Sequence, residues 1–549
     1  MRWVAILLGL VGLVVGQLPA QADHGTRGDT EGLVVLGDSP HIADSLFIVP
    51  SNLAHINTDL AFWDHFAYQG NWNGFRIIDI SDPTDPEEVI WYDDCNGGQG
   101  DLIVWDRTPA TPGADLLIRS WDGPAPDPAG ATGRDCGGED VAEGFEGFHI
   151  FDITDPLNPD LLQTLPAGFG IGSHTATVVP DLDANRLLVY NAGSTGSIGM
   201  DIFEVPLDDP GSTTFLRREL AGRPCHDIQV FLADVLRVAC SGGNGFTMFS
   251  LDPADGGSLV NPRQLYSRPV TDVSIGHSTA FTWDGETFVF GHEPGGGADA
   301  QCQEESLDAN RTAYFFDTET GAQVGKWFLP RDQEATENCT LHNYMMIPTK
   351  NGKDIMVSGN YQAGTWVTDI TDPTKPEVLA FSDPPPIEPT DLGGAWATYW
   401  YNGLLYETEI TKGLHIFDVT PAVAASTDTP VTFDHLNPQT QEVRIGDTLN
   451  FGTSSSFRHT NRPHAFRGKA ASGDRRCASG RNVVVRKVRP GKDRVVARTK
   501  TGARGGWSAK HTKGGAGRYY AVLPARSFMD DLDSLTCRRA KTSTLKVSR

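Results

Sequence analysis

The sequence contains only one long apolar run, from Val4 to Gly16, and this run is shorter than the roughly 20 residues that span a membrane. No later segment approaches that length, so a membrane span is not expected. There is no Cys-x-x-Cys spacing, so the cysteines indicate disulfide bonds more strongly than a zinc site. Gly295-Gly296-Gly297 is not followed by Lys and Ser or Thr, and no Gly-x-Ser-x-Gly turn stands between a strand and a helix. These absences argue against a phosphate-binding loop and a serine hydrolase.

The first residues have the pattern of an export signal. Arg2 supplies a positive start, the apolar run follows, and Ala20-Gln21-Ala22 is a small-x-small cleavage site. We therefore expect a signal peptide at 1–22, a mature extension at 23–33, and a secreted, extracellular protein associated with the cell envelope. No cysteine follows the apolar run, so no lipid anchor is expected.

The number of cysteines is consistent with an exported protein. Their number is eight, and an even number outside the cell indicates disulfides. Neighbours along the chain form natural pairs, which predicts four bonds: Cys95 with Cys136, Cys225 with Cys240, Cys302 with Cys339, and Cys477 with Cys537.

Charge is divided unevenly along the chain. From His435 onward there are 25 Lys and Arg against 7 Asp and Glu, a formal charge of +18. The preceding residues carry 20 against 63, or −43. The pattern predicts an acidic body followed by a basic domain.

A repeat runs through the acidic body. Close copies begin at Gly74 (GFRIIDISDPTDP), Gly147, Gly364 and Gly413. Weaker copies contain MDIFEVPLDDP, FTMFSLDPADG and TAYFFDTETGA. The equivalent positions, 46 to 73 residues apart, indicate seven units: Asp79, Asp152, Glu204, Ser250, Asp317, Asp369 and Asp418.

Each unit has the pattern of a four-stranded blade. Gly opens a strand of alternating apolar residues, and the strand stops at Asp-Pro, where proline removes a ladder donor and Asp, Ser and Thr bond the turn. A strand follows at once, and a hairpin precedes each Gly. With 60 Gly and 35 Pro the chain is rich in turns. We predict an all-β fold: a seven-bladed β-propeller at 34–421, followed by a small β-sandwich. A β-helix would need a shorter period, and an Ig array a longer one.

The (Ile/Val)-x-Asp-(Ile/Val)-(Ser/Thr)-Asp-Pro endings of the close copies resemble the LVIVD-repeat family. The resemblance covers roughly Val34 to Pro421, and the units at Glu204, Ser250 and Asp317 depart from the pattern. It implies an exported or surface-associated bacterial propeller. It implies no settled activity.

Histidine recurs near the start of five units. In a propeller the first strand of each blade lines the central channel, so these side chains should converge on the axis, where imidazoles can bind a transition metal. Asp227, His292 and Glu293 lie close to them in sequence. The alternative is that each histidine hydrogen-bonds a neighbouring blade and only holds the fold together. The five candidate ligands are His55, His174, His226, His277 and His342.

The pattern changes after Pro421. Residues 422–433 are predicted to be a linker, and 434–549 a basic domain of short strands between Cys477 and Cys537. Its Cys-Ala-Ser-Gly-Arg-Asn-Val start resembles the Ig-like or carboxypeptidase-regulatory-like sandwiches appended to secreted proteins of Gram-positive bacteria. A basic surface attracts polyanions, so anionic cell-wall polymers are the expected partners of this domain. Nucleic acid is disfavoured because no binding motif is present.

Two functional hypotheses follow. The first is a non-enzymatic extracellular module that binds a protein or polysaccharide, with no catalytic residue assigned. The second is a metal-dependent enzyme, an oxidoreductase or hydrolase, that uses the axial histidines. Whether those histidines hold a metal separates the two.

Overall fold

A computed structural model gives the structure of the chain from residue 29 to residue 547. The predicted signal at 1–22 lies outside the described residues, as do His55 and most of the predicted linker. Within that span the structure does not describe 42–55, 96–98, 106–114, 123–134, 143–144, 168–171, 194–198, 233–234, 350–352, 387–391, 420–422, 424–432, 434, 443–448, 452–453, 456–457, 462–463, 473–474, 490–492, 511–515, 525, 530–533, 538–539 and 543.

Antiparallel sheets of four consecutive strands form most of the described chain. Each is a meander in which every strand pairs with the next, because short turns rich in Gly, Pro and Asp join them. The first four sheets are β3 (Asn57–Trp63), β4 (Phe66–Asn71), β5 (Gly74–Asp79) and β6 (Glu87–Tyr92); β7 (Leu102–Trp105), β8 (Leu116–Trp121), β11 (Gly147–Asp152) and β12 (Asp160–Pro166); β13 (Thr175–Asp181), β14 (Arg186–Ala192), β15 (Met200–Pro206) and β16 (Thr214–Glu219); and β17 (Asp227–Leu232), β18 (Leu236–Gly242), β19 (Gly245–Ser250) and β20 (Arg263–Pro269).

Three more sheets complete the set, and a short hairpin of β9 (Asp135–Cys136) and β10 (Glu139–Asp140) lies between β8 and β11 in the chain. Short 3-10 turns lie at Leu182–Ala184, Pro210–Ser212, Pro253–Asp255, Pro294–Gly296 and Asp308–Arg311. The remaining strands are β21 (Gly276–Phe281), β22 (Thr287–His292), β23 (Thr312–Asp317) and β24 (Gln323–Phe328); β25 (Asn343–Ile347), β26 (Ile355–Gly359), β27 (Thr365–Asp369) and β28 (Glu377–Asp383); and β29 (Ala395–Tyr401), β30 (Leu404–Glu409) and β31 (Gly413–Asp418), which β2 (Val34–Pro40) completes.

The first strands of these sheets surround a common axis. Each contacts the first strand of the next sheet, and β29 contacts β3. The prediction of an all-β propeller is therefore confirmed. Seven such sheets are present in the described part of the chain, and the number of blades in the whole protein stays a prediction. We number the sheets as blades 1 to 7 in chain order.

The repeated segment of the sequence is the third strand of each blade. Where it ends, Asp79 accepts the backbone N–H of Ser81 at 2.8 Å, and Asp82 accepts that of Thr84 at 2.9 Å. The same bonds recur in blade 2 between Asp152 and Thr154. The aspartates thus end the strand by satisfying the turn backbone, as the sequence predicts.

The N-terminal strands join the last blades. β2 is the outermost strand of blade 7, so the start of the propeller closes the ring against its end. β1 (Asp29–Glu31) pairs with β28 and adds a fifth strand to blade 6. The predicted extension at 23–33 therefore contributes an ordered strand to the propeller.

A segment after the predicted linker enters the channel of the propeller. β32 (His435–Leu436) pairs with β3 of blade 1, and β33 (Thr440–Glu442) runs parallel to β17 of blade 4. Asn437 bonds both backbone groups of Val104 in blade 2, and Gln441 bonds those of Phe281 in blade 5. We call residues 435–442 the channel segment. It lies within the propeller, whereas the sequence placed it in the C-terminal domain.

The C-terminal domain is a small β-sandwich. Its sheets share a core that includes Phe466, Val485, Trp507 and Tyr519. A four-residue helix, α1 (Arg475–Ala478), precedes the second sheet. The strands are β34 (Leu449–Phe451), β35 (Ser454–Ser455), β36 (Arg458–Asn461), β37 (His464–Ala471), β38 (Asn482–Lys487), β39 (Arg494–Lys500), β40 (Gly506–Lys510), β41 (Gly517–Leu523), β42 (Arg526–Met529), β43 (Ser534–Cys537), β44 (Ala540–Lys541) and β45 (Leu545–Val547).

This domain contacts the propeller. Cys477 and Cys537 belong to the same buried cluster as propeller residues. Arg504 pairs with Glu319 of blade 5 at 3.5 Å, although both side chains are exposed. Part of the basic charge therefore faces the acidic propeller of the same chain.

The structure has four disulfide bonds, and they join the pairs that the sequence predicts: Cys95–Cys136, Cys225–Cys240, Cys302–Cys339 and Cys477–Cys537. Among the described residues no helix has the length and apolar character that crossing a membrane requires.

Candidate axial metal site

Four of the five predicted histidines are described, and all four lie at the start of first strands. His174, His226 and His342 immediately precede β13, β17 and β25, and His277 is the second residue of β21. They belong to blades 3 to 6 and are at most 7% exposed. His55 lies outside the described residues.

The four rings form a continuous row around the axis. Ring centroids are 4.0 Å apart between His174 and His226, 4.6 Å between His226 and His277, and 4.2 Å between His277 and His342. The predicted convergence is thus present for these blades. Adjacent blades bring the rings together because each histidine has the same place on its own first strand.

Three of the rings point their Nε2 atoms at one carboxylate. Glu293 follows β22 of blade 5, and its oxygens lie 3.5 Å from Nε2 of His226 and 3.8 Å from Nε2 of both His277 and His342. Glu293 is only 6% exposed. The donor atoms of His277, His342 and Glu293 all lie within 4.8 Å of one another, in a site shielded from water. A second buried group of donors at the same spacing consists of His174, His226, Asp227 and His277.

The opposite nitrogens of these rings already have partners. His277 Nδ1 lies 3.1 Å from the backbone oxygen of His342, and His342 Nδ1 lies 2.6 Å from that of Trp396. These bonds place the proton on Nδ1 and leave Nε2 with a lone pair. His277 Nε2 is buried and has no hydrogen-bond partner among the described residues. This is the arrangement of a histidine oriented for a metal ion.

Burial favours the neutral form of two of these rings. It is the main reason that the pKa of His277 falls to about 3, although the Asp227 carboxylate opposes the change. Burial likewise lowers the pKa of His342 to about 3. Neutral imidazole is the form that coordinates a metal.

Asp227 orients the other sides of the rings. Its two oxygens lie 3.3 Å from Nδ1 of His226 and 3.2 Å from Nδ1 of His277. Burial raises the pKa of this carboxyl, but the neighbouring His277 and His226 outweigh burial and hold the pKa well below its usual range. A metal-ligating histidine commonly donates its second nitrogen to such a carboxylate.

His174 differs from the other three. Its Nδ1 lies 2.6 Å from the carboxylate of Asp122. Burial lowers the pKa of His174, but Asp122 opposes it more strongly and the pKa rises to about 9. Asp122 thus favours the protonated ring in the absence of a metal, whereas the position of His174 beside His226, Asp227 and His277 is that of a candidate ligand.

A small cavity adjoins the row of histidines. Its volume of about 20 Å³ suits one water molecule or one ion. Asp101 and Gln439 face it together with His174, Asp227 and His277. Gln439 belongs to the channel segment and bonds Asp59, so this segment lies against one side of the cavity.

Tyr361 completes the wall beside Glu293. Its hydroxyl donates to Glu293 at 3.3 Å, and its ring lies 4.5 Å from that of His342. The residue has a φ of +50°, which is uncommon for a bulky side chain and typical of a constrained site. A Cβ at Gly394 would lie 2.1 Å from the Tyr361 backbone, so only glycine fits there.

Sequence reasoning missed three parts of this site. Tyr361 has no equivalent in the other repeat units, so the repeat does not mark it. Asp122 follows a strand in a unit that departs from the regular spacing, so its position is not marked either. The channel segment comes from beyond the repeat. Glu293 and Asp227 were recognisable because they stand next to His292 and His226 in the chain.

The histidines also hydrogen-bond neighbouring blades, which is the alternative to metal binding that the sequence left open. The Nδ1 bonds of His277 and His342 join blade 5 to blade 6 and blade 6 to blade 7. The two readings are compatible, because Nδ1 links the blades while Nε2 faces Glu293.

Comparison with known proteins gives limited matches. The LVIVD repeat family matches residues 56–94, the first unit of the propeller, in agreement with the resemblance of its repeats. No curated protein matches the sequence. The WD40 domain of SCAP from fission yeast is similar in structure, with a TM-score of 0.32 and 10% identity, over 64% of this chain and 81% of that chain.

Proposed function

We propose that this protein is a metal-binding propeller that holds one transition-metal ion on its axis. The observation that carries the proposal is the convergence of three Nε2 atoms on Glu293 within 3.5 to 3.8 Å. His277, His342 and Glu293 would be the ligands, and His226 lies beside them in the neighbouring group of donors. Imidazole suits Zn, Cu, Fe and Ni, so the donor set favours these metals over Ca²⁺ and Mg²⁺.

The buried site favours a binding role over catalysis on an organic substrate. The ligands are at most 6% exposed, and the neighbouring cavity holds no more than one water-sized group. In this proposal the metal links blades 5 and 6, and the propeller surface contacts an extracellular protein or polysaccharide.

Metal-dependent catalysis is the second candidate. The cavity beside His277 and Asp227 favours it, because a small molecule held there would be next to the metal. An oxidoreductase or hydrolase acting on such a molecule would need an open coordination position. Activity that disappears on metal removal and returns with one metal would support this candidate.

We further propose that the protein is exported and that its basic domain attaches it to the cell envelope. The signal pattern at 1–22, the four disulfides and the charge of +18 after His435 support this. The pairing of Arg504 with Glu319 shows that part of the charge is used within the chain.

Metal analysis of the purified full-length protein tests the axial site. We expect close to one transition-metal ion per chain and a large loss in a His277→Gln variant. His65→Gln is the control, because that side chain is 44% exposed and its ring pairs with Asp64, away from the axis. Protein that folds and takes up no transition metal under saturating conditions contradicts the proposal.

A further inference from the structure

The C-terminal domain has an open groove whose side chains are basic. Arg458 of β36, Arg467 and Lys469 of β37, and Ser508 of β40 face it, and its volume is about 590 Å³. The three strands are neighbours in one sheet. The groove is separate from the axial site.

Strand register explains why the basic residues lie together. Arg458 is directly opposite Arg467, which in turn is opposite Ser508. Lys469 is two residues after Arg467, so both side chains leave the same face of the strand. The sheet therefore presents three cations on a single surface.

Two glycines line the base of the groove, which we call the glycine floor. Gly468 and Gly506 line it without side chains, and a Cβ built at Gly506 would meet no atom within 4 Å. A ligand can therefore approach the backbone between the basic side chains.

Arg458 and Arg467 form no ion pair with any described residue. They are also direct neighbours on the adjacent strands β36 and β37. Like charges in such positions destabilise a sheet. A bound anion would remove this repulsion. Arginine suits phosphate in particular, because its planar fork can donate two parallel hydrogen bonds.

Lys469 also acts on the propeller. It lies near Asp354 of blade 6, where its charge lowers the pKa that burial raises. The two arginines are therefore the cations on which a ligand depends most.

The size of the basic surface indicates a ligand with successive anionic groups. Arg458 and Ser508 are separated by two strand spacings, about 10 Å in all. A chain of phosphates can contact both residues through successive groups. The open ends of the groove allow such a chain to continue beyond it.

We propose that this groove binds a phosphate-bearing anionic polymer of the cell envelope. The inference rests on the proposed attachment of the basic domain and identifies the residues responsible. Arg458 and Arg467 bind neighbouring phosphates, and the glycine floor lets the polymer backbone lie flat.

The test uses the full-length protein and fluorescent inorganic polyphosphate as the probe. We expect binding that weakens as salt increases, because phosphate contacts release counterions. An Arg458→Gln/Arg467→Gln variant should bind about tenfold more weakly, with a salt slope smaller by about 1 for each arginine removed. Gly506→Leu should also weaken binding while every charge is kept.

The matched control is Arg494→Gln/Arg518→Gln. Both arginines are exposed, lie on the other sheet and do not line the groove. The control removes the same charge and should change affinity less than twofold. Thermal melting of each variant establishes that it is folded.

Each contrary result has a distinct meaning. If the wild-type chain does not bind polyphosphate, the proposed attachment is wrong. If it binds but the groove and control variants weaken binding equally, the groove is not the site. Tighter binding of single-stranded DNA or polygalacturonate of equal charge would show that the ligand class is wrong.

Discussion

The Nε2 atom of His277 lies 3.8 Å from a carboxylate oxygen of Glu293, and no other described group bonds that nitrogen. His277 starts the first strand of blade 5, and Glu293 follows the second strand of the same blade. The hairpin between them brings both ends to the same edge of the blade. His226 and His342 reach the same carboxylate from the blades on either side.

Substituting the carboxylate tests this relationship. We expect Glu293→Gln to lower metal affinity at least tenfold, because the amide keeps the shape and loses the charge that would balance the metal. Asp227→Asn removes the orienting carboxylate and should cost about 10- to 100-fold. Competition with a chelator of known affinity measures both. Unchanged affinity in both variants would place the metal elsewhere.

The channel segment should contribute to propeller stability. Asn437 accepts the backbone N–H of Val104 at 2.9 Å and donates to its carbonyl, so Asn437→Ala leaves two buried backbone groups without partners. Each unsatisfied group costs about 1 to 3 kcal/mol, and we expect a loss of at least about 2 kcal/mol. Denaturant unfolding measures it. Asn482→Ala, at an exposed strand start, is the control and should change stability by less than about 0.5 kcal/mol.

The repeat predicts the blades well because each unit carries its own strand and turn signals, such as Asp79 and Asp152 at equivalent ends. The histidine register follows from the same repetition. Contacts that join distant parts of the chain have no such signal. Nothing local in the sequence shows that Asn437 reaches Val104 or that His174 pairs with Asp122, because only the packing of separate blades and of the channel segment brings these residues together.

The packing between blades 4 and 5 depends on Phe246. Its ring centroid lies 4.9 Å from that of Phe288 and 4.7 Å from that of Phe316, and the residue is fully buried. Phe246→Ala should destabilise the propeller by about 3 to 5 kcal/mol, since it removes transfer free energy and leaves a cavity. Phe215→Ala is the control, because Phe215 is 51% exposed. Equal losses in the two variants would contradict this account of the core.

A pH-dependent contribution to stability is expected in blade 7, where Nδ1 of His415 lies 3.0 Å from Glu407. Burial lowers the pKa of His415, but the hydrogen bond and charge of Glu407, helped by Glu409 and opposed by Lys412, raise it above 6.5 overall. A raised histidine pKa means that the stabilisation is complete below pH 6.5 and is lost as pH rises through the folded-state value.

The stability difference between wild type and His415→Gln should therefore be largest below pH 6.5 and should shrink as the solution becomes alkaline. Urea unfolding of both proteins from pH 5.5 to pH 9 measures it. His65→Gln serves as the control, because that ring is 44% exposed and pairs with the exposed carboxylate of Asp64. A difference that grows with pH would show that His415 is neutral in the folded protein, and the ion pair with Glu407 would then be ruled out.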